Sequence, residues 1–207
     1  MELIIATGNM GKFAEIKACL APRFDLFLSL SDLNADLEVV EDRPTYYENA
    51  WKKARKIGNR FGIATLADDS GLEVEALGGR PGICSARYGP DDRGRRERLL
   101  AELEGVPRER RTAFFKAYLV YYLPEAGQTF IFYGSVKGHI GFEPRGEKGF
   151  GYDPLFMLDD SERSLAELEM DEKNRVSHRG RALAEVKRFL SPSPPQPHLL
   201  SPKLIGG

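Results

Sequence analysis

The chain has 207 residues, 42% of them hydrophobic, enough to bury a core and too many for a disordered or fibrous protein. Lys and Arg (30) nearly cancel Asp and Glu (31), leaving a net charge of −1 that argues against a coat for nucleic acid or anionic membrane. Cys19 and Cys84 fit neither a disulfide framework nor a zinc spacing and read as free thiols; with no apolar run near the length of a membrane span, the expected location is the cytoplasm.

Leu3–Ala6 is a continuous apolar run and predicts a buried strand. It breaks into Thr7-Gly8-Asn9-Met10-Gly11-Lys12, which joins it to a helix carrying Ile16 and Leu20 at helical spacing. Thr45-Tyr46-Tyr47-Glu48 matches a capping box and predicts a helix to about Arg60, with Ala50, Ala54, Ile57 and Phe61 on one face and Gly62 as its stop. Ile63–Ala67 predicts a second buried strand, ended by Asp68-Asp69-Ser70-Gly71. Leu72–Leu77 alternates with Glu73 and Glu75, and Gly78–Gly82 reads as a loop.

Asp91–Glu104 has the pattern of an exposed amphipathic helix. Ala113–Leu123 and Thr129–Val136 predict a long β-hairpin about Pro124–Gly127, and the glycine-rich stretch Gly138–Asp153 predicts a functional loop. Ser164–Glu172 predicts a short helix, and Ser177 an N-cap for a last helix over Arg181–Leu190. The Pro-rich residues 191–207 read as a flexible tail. Interleaved strands, hairpin and helices, without internal repeats, give an α/β class with a mixed sheet.

Several segments carry residue types suited to chemistry, each beside a plainer reading. The glycine turn at Thr7–Lys12 has the form of a phosphate cradle, with backbone N–H groups and a helix N-terminus aimed at an anion, but lacks P-loop spacing; the alternative is an ordinary turn capped by Asn9. Asp68 and Asp69, adjacent in extended chain, point to opposite sides and so do not share one ion; Asp-Asp-Ser-Gly also suits a turn. Lys53 flanks an apolar helix stripe and either snorkels or enters a site. Phe150 and Tyr152, in a flexible loop, stack on a base or anchor the loop. Lys173-Asn174-Arg175-Val176-Ser177-His178-Arg179 places cations before a helix N-terminus, which is unfavourable without a nearby anion. The arginines of Arg93–Arg98 read as a solvated face with acidic partners.

Taken in order, Thr-x-Asn-x-x-Lys, Glu-Asn-Ala-x-x-Lys-Ala, Ala-Asp-Asp-Ser-Gly-Leu, Gly-Gly-x-Pro-Gly-Ile-x-Ser-Ala-Arg-Tyr, Gly-Phe-Gly-Tyr-Asp-Pro and Glu-Lys-Asn-x-x-Ser-His-Arg run from Leu3 to about Leu190. Together they resemble the non-canonical purine NTP pyrophosphatases, the inosine/xanthosine triphosphate diphosphatase (Ham1-like) family. The resemblance implies an elongated mixed β-sheet with flanking helices, two lobes around a central active-site cleft in one domain over 1–190, and a homodimer.

It also implies Mg²⁺-dependent hydrolysis of ITP, dITP and XTP to the monophosphate and pyrophosphate. By motif, Thr7, Gly8, Asn9, Met10, Gly11, Lys12 and Lys53 hold the triphosphate, and Glu41 and Asp69 serve Mg²⁺. Asp69 is also the proton acceptor, while Ser70, Phe150, Gly151, Tyr152, Asp153, Lys173, His178 and Arg179 line the nucleotide site. Cys84 and Met157-Leu158 depart from the family pattern, and the tail has no motif counterpart. The rival readings are a pyrophosphatase for other modified nucleotides and a nucleic-acid-binding module; near-neutral charge counts against the second.

Overall fold

A computed structural model describes residues 1–33 and 39–191; most of the tail, from residue 192, lies outside the described residues. Among the described residues five α-helices surround one mixed sheet: α1 (Met10–Leu20), α2 (Tyr46–Phe61), α3 (Asp92–Glu102), α4 (Met170–Val176) and α5 (His178–Leu190). The strands are β1 (Glu2–Ala6), β2 (Leu26–Leu28), β3 (Thr65–Val74), β4 (Thr112–Leu123), β5 (Gln128–Ile140) and β6 (Phe156–Leu158), in the order β2-β1-β3-β4-β5-β6. β1 pairs parallel with β2 and β3, and β3 to β6 pair antiparallel.

The two faces of the sheet follow from strand alternation. Leu3, Ile5 and Leu66 pack with Ile16 and Leu20 of α1 and Leu183 and Val186 of α5. Ile4, Ala6 and Ala67 pack with Ala50, Ala54 and Ile57 of α2, the stripe predicted for that helix. A second core lies farther along β3 on the first face, where Leu72 and Val74 meet Leu99 and Leu103 of α3, Phe115, and Tyr152 and Leu155 from the glycine-rich segment. Asp68 and Ser70 fall between these two cores.

Helix signals were legible where they were local. Thr45 caps α2 by accepting the Glu48 N–H at 3.2 Å, although Glu48 returns the contact to the Thr45 hydroxyl (2.7 Å) rather than to its backbone. Gly62, at φ 70°, stops the helix in the left-handed conformation that glycine adopts without a Cβ clash.

Four expectations are corrected. Asp68-Asp69-Ser70-Gly71 is no turn: β3 runs straight through it, because all ten residues of the strand pair with β4. β5 extends to Ile140 and takes the start of the expected loop. The Ser164–Glu172 helix is instead a 3₁₀ turn at Leu165–Glu167 followed by α4, each end closed by its own capping box, Ser164/Glu167 and Glu169/Glu172. α5 begins at His178, directly after its Ser177 cap, rather than at Arg181. The strands β2 and β6, three residues each, had no sequence signal of their own.

Candidate functional site

β3 organises the site, because its alternation sends neighbouring polar side chains to opposite faces of the sheet. Asp68 points toward α1 and α5. Its Oδ1 is 2.5 Å from Lys12 Nζ and accepts the Ser70 hydroxyl at 2.9 Å, while Oδ2 accepts Arg179 Nε at 2.9 Å. Arg179 also donates to Glu15 Oε2 (2.5 Å) and to Ser70 Oγ (2.9 Å). Lys173 Nζ bridges Glu15 Oε1 and Asp153 Oδ2, both at 2.5 Å.

These contacts supply the anions that the cations near the α5 N-terminus require. Burial opposes the charge on Asp68, but Arg179 and Lys12 outweigh it and hold the carboxyl well below the ordinary range. Burial likewise opposes ionisation of Glu15, which Arg179 and Lys173 nevertheless hold below its usual value.

On the α2 face the balance is reversed. Asp69 Oδ1 accepts the Ser70 N–H at 3.1 Å, but its buried Oδ2 has no hydrogen-bond partner among the described residues. Lys53 Nζ lies 4.0 Å from Asp69 and donates instead to Glu41 Oε1 (2.8 Å) and the Asp68 carbonyl (2.6 Å). Burial therefore dominates and pushes Asp69 up to about 6, with Lys53 and Lys12 pulling the other way. Lys53 does not snorkel: its residue is 9% exposed and its ammonium points inward.

Two recesses meet at Asn9 and Lys12. One is lined by Thr7, Gly8, Glu41 and Lys53 together with the apolar Ala6, Leu30, Val39 and Ile57. Its edge is shaped by the turn before α1, where Thr7 Oγ1 accepts the Asn9 N–H at 3.1 Å and Asn9 Oδ1 caps the helix at Lys12 N–H (3.0 Å). The other is aromatic, lined by Phe115, Phe150, Tyr152, His178 and Arg179 together with Ser70, Gly151 and Asp153. The His178 ring stacks on Phe115 with centroids 4.6 Å apart.

Burial, reinforced by Arg179, drives the His178 pKa well below its ordinary value, so the imidazole is neutral, and its Nδ1 has no partner among the described residues. Phe150 lies over Gly11, where a Cβ would come within 2.3 Å of the ring, which is why this helical position has no side chain. Lys173 Nζ sits 4.7 Å from the centroid of the same ring.

Most residues that the motifs singled out thus gather around these recesses, but four line neither: Met10, Gly11 against the Phe150 ring, Lys173 and Asp69. Met10 is 60% exposed and lines neither recess. Lys173 lies behind the aromatic recess, anchoring Asp153 rather than facing the space. Asp69 sits beside Lys53 at the floor of β3.

Sequence reasoning missed Glu15, Phe115, Asp92 and Arg95. Glu15 carried one signal, its position one helical turn after Lys12; Phe115 was indistinguishable from any inward strand residue. The solvated reading of Arg93–Arg98 holds for Arg93 and Arg98, which pair with Glu97 and Glu102, but not for Arg95 and Arg96, which reach the glycine-rich loop and its recess.

A glycine-edged recess holding Lys12 and Lys53, joined to an aromatic slot at the ends of parallel strands, defines an α/β protein shaped for a ligand that is anionic at one end and aromatic at the other. The model of the Ham1 family matches residues 3–189, and the chain belongs to that family. It is 44% identical to the dITP/XTP pyrophosphatase of Bacillus subtilis over 192 residues, covering 91% of this chain and 96% of the relative. A Thermus thermophilus dITP/XTP pyrophosphatase is also 44% identical, over 94% of each chain. Among solved structures, the HAM1 protein of Coxiella burnetii superposes with a TM-score of 0.81 at 35% identity, covering 92% of this chain and 98% of that one. The Ham1 protein of Staphylococcus aureus gives 0.80 at 36% identity, with the same coverage.

Proposed function

We propose that the protein hydrolyses ITP, dITP and XTP to the nucleoside monophosphate and pyrophosphate, clearing deaminated purines from the nucleotide pool. The observation that carries this reading is the junction at Asn9 and Lys12, where a lysine-lined recess continues into an aromatic one. The names of its relatives point the same way. In this reading residues 1–190 act as one two-lobed domain, functioning in the cytoplasm as a homodimer. No helix among the described residues is long and apolar enough to cross a membrane.

Glu41 and Asp69 fit Mg²⁺ as hard oxygen donors, and the partnerless buried Oδ2 of Asp69 is the kind of group that a cation would satisfy. Two carboxylates would share such an ion with substrate phosphates and water, the usual arrangement for Mg²⁺ at a phosphate site. Bound there, Mg²⁺ supplies Lewis-acid stabilisation of the charge developing on the phosphates. Lys12 and Lys53 neutralise the triphosphate, and the α1 N-terminus orients it. Water attacks the α-phosphorus as the bond to the β-phosphate oxygen breaks; Asp69 takes the water's proton and pyrophosphate departs.

Base selection follows from donor count. Three of the five N–H groups of Arg179 are committed to Asp68, Glu15 and Ser70, leaving donors for a purine C6 oxygen. Adenine presents an amino group there, so donor would meet donor. An unpaired buried donor costs roughly 1–3 kcal/mol, or about ten- to hundredfold in kcat/KM.

The test is pyrophosphate release from ITP, dITP, XTP, GTP, ATP and a methylated pyrimidine nucleoside triphosphate, with Mg²⁺ and with EDTA. The expected result is high kcat/KM for the first three only, abolished by EDTA. Preference for a methylated pyrimidine nucleotide, or no release at all, would overturn the assignment.

A further inference from the structure

The aromatic recess is approached from two directions. The loop Phe150–Asp153 is tied at Asp153 to Lys173 of α4, next to His178 and Arg179. At Gly151 it is tied to α3: the Gly151 N–H donates to Asp92 Oδ2 at 2.7 Å, and the Gly151 carbonyl accepts Arg96 Nη1 at 2.8 Å. Between those two anchors on α3 stands Arg95, which lines the recess.

The Arg95 guanidinium is fixed at two points. Nε donates to the Asp91 carbonyl at 3.1 Å, and Nη2 lies 2.6 Å from Asp92 Oδ1. Its side chain is 19% exposed, so it is positioned rather than trailing in solvent. One Asp92 oxygen is paired with Arg95 and the other accepts the Gly151 N–H, so the N–H groups left over on this flank are those of Arg95.

We propose that Arg95 is a specificity-determining residue that donates to an oxygen at C2 of the purine, while His178 and Arg179 serve the oxygen at C6. This rests on the function proposed above and deepens it. A purine with oxygens at both positions, of the xanthine type, meets a donor on each flank. One with hydrogen at C2, of the hypoxanthine type, leaves the Arg95 donor unpaired. A guanine carries an amino group at C2, so its donor faces the donors of Arg95 and is rejected although its C6 oxygen matches. Discrimination against guanine, which the C6 contacts do not provide, is thereby placed on α3.

The test compares kcat/KM for XTP, ITP and GTP, by pyrophosphate release, in the wild type, Arg95→Met and Arg95→Gln, with thermal melting to verify folding. Arg95→Met removes the donors and is expected to lower the XTP:ITP ratio by about tenfold, the effect of one unpaired contact. Arg95→Gln offers an acceptor as well as a donor, and is expected to raise GTP relative to ITP by a similar factor. Ratios within twofold of wild type in both variants, while the wild type remains active on ITP and XTP, overturn the role of Arg95 alone. A wild type that releases pyrophosphate from neither overturns the proposed function and this inference with it. If one variant does not fold, the ratios of the other decide.

Discussion

Asp68 and Asp69 are neighbours in sequence, both at most 4% exposed, yet they stand in opposite states. Asp68 faces α1 and α5, where Lys12, Arg179 and Ser70 satisfy both oxygens and stabilise its charge. Asp69 faces α2, where the nearest lysine is spent on Glu41 and a backbone carbonyl, and one oxygen has no partner among the described residues. Burial is common to both; the difference lies in who answers it. A fully answered carboxylate fixes the architecture, whereas an unanswered one holds its charge at a cost to stability and is available to a cation or a proton.

The largest test of this contrast is Asp69→Asn. Turnover is expected to fall by well over tenfold while the protein stays folded. Retention of more than about a tenth of wild-type kcat, equivalent to just ~1.4 kcal/mol of barrier, would overturn the proposed role of Asp69 as metal ligand and proton acceptor.

Asp68→Ala should behave differently, costing stability first, because it strands Arg179 in a buried network. Urea denaturation is expected to show a loss of about 3–5 kcal/mol. A change below ~1 kcal/mol would mean that Glu15 and Ser70 hold Arg179 unaided.

The smallest effect sharpens the comparison through pH. The folded-state value of Asp69 lies above its unfolded value, at about 6 against 3.8. Its ionisation therefore destabilises the fold above pH ~6, and this penalty disappears below the unfolded value. In EDTA, Asp69→Asn should melt above wild type at pH 8, by an amount on the order of 2 kcal/mol, and this advantage should shrink as pH falls through 6 toward 5. Melting curves at several pH values check it, and a difference that does not vary with pH would show that Asp69 is already satisfied in the fold.

Much of the site was legible because its signals are local. Asn9 as a cap, Thr45 and Gly62 as the limits of α2, and Ser177 as the cap of α5 are set by hydrogen bonds within a few residues of chain. The opposite orientation of Asp68 and Asp69 was legible for the same reason, since alternation along extended chain requires no knowledge of partners. Asp-Asp-Ser-Gly nevertheless looked like a turn, because turn propensity competes with strand pairing and only the ladder with β4 outweighs it.

By itself the sequence determined the order of the elements other than β2 and β6, the apolar face of α2, and the set of motifs from the glycine turn to Ser177-His178-Arg179. Only the tertiary structure decided how the charges pair. Glu15 meets Lys173 across 158 positions and Arg179 across 164, and α3 turns two arginines that read as solvated onto a loop more than 50 residues away. Periodicity and capping act over one helical turn or one strand repeat. The satisfaction of a buried charge depends on whatever the packed layers bring within about 3 Å of it, and nothing in local spacing encodes that.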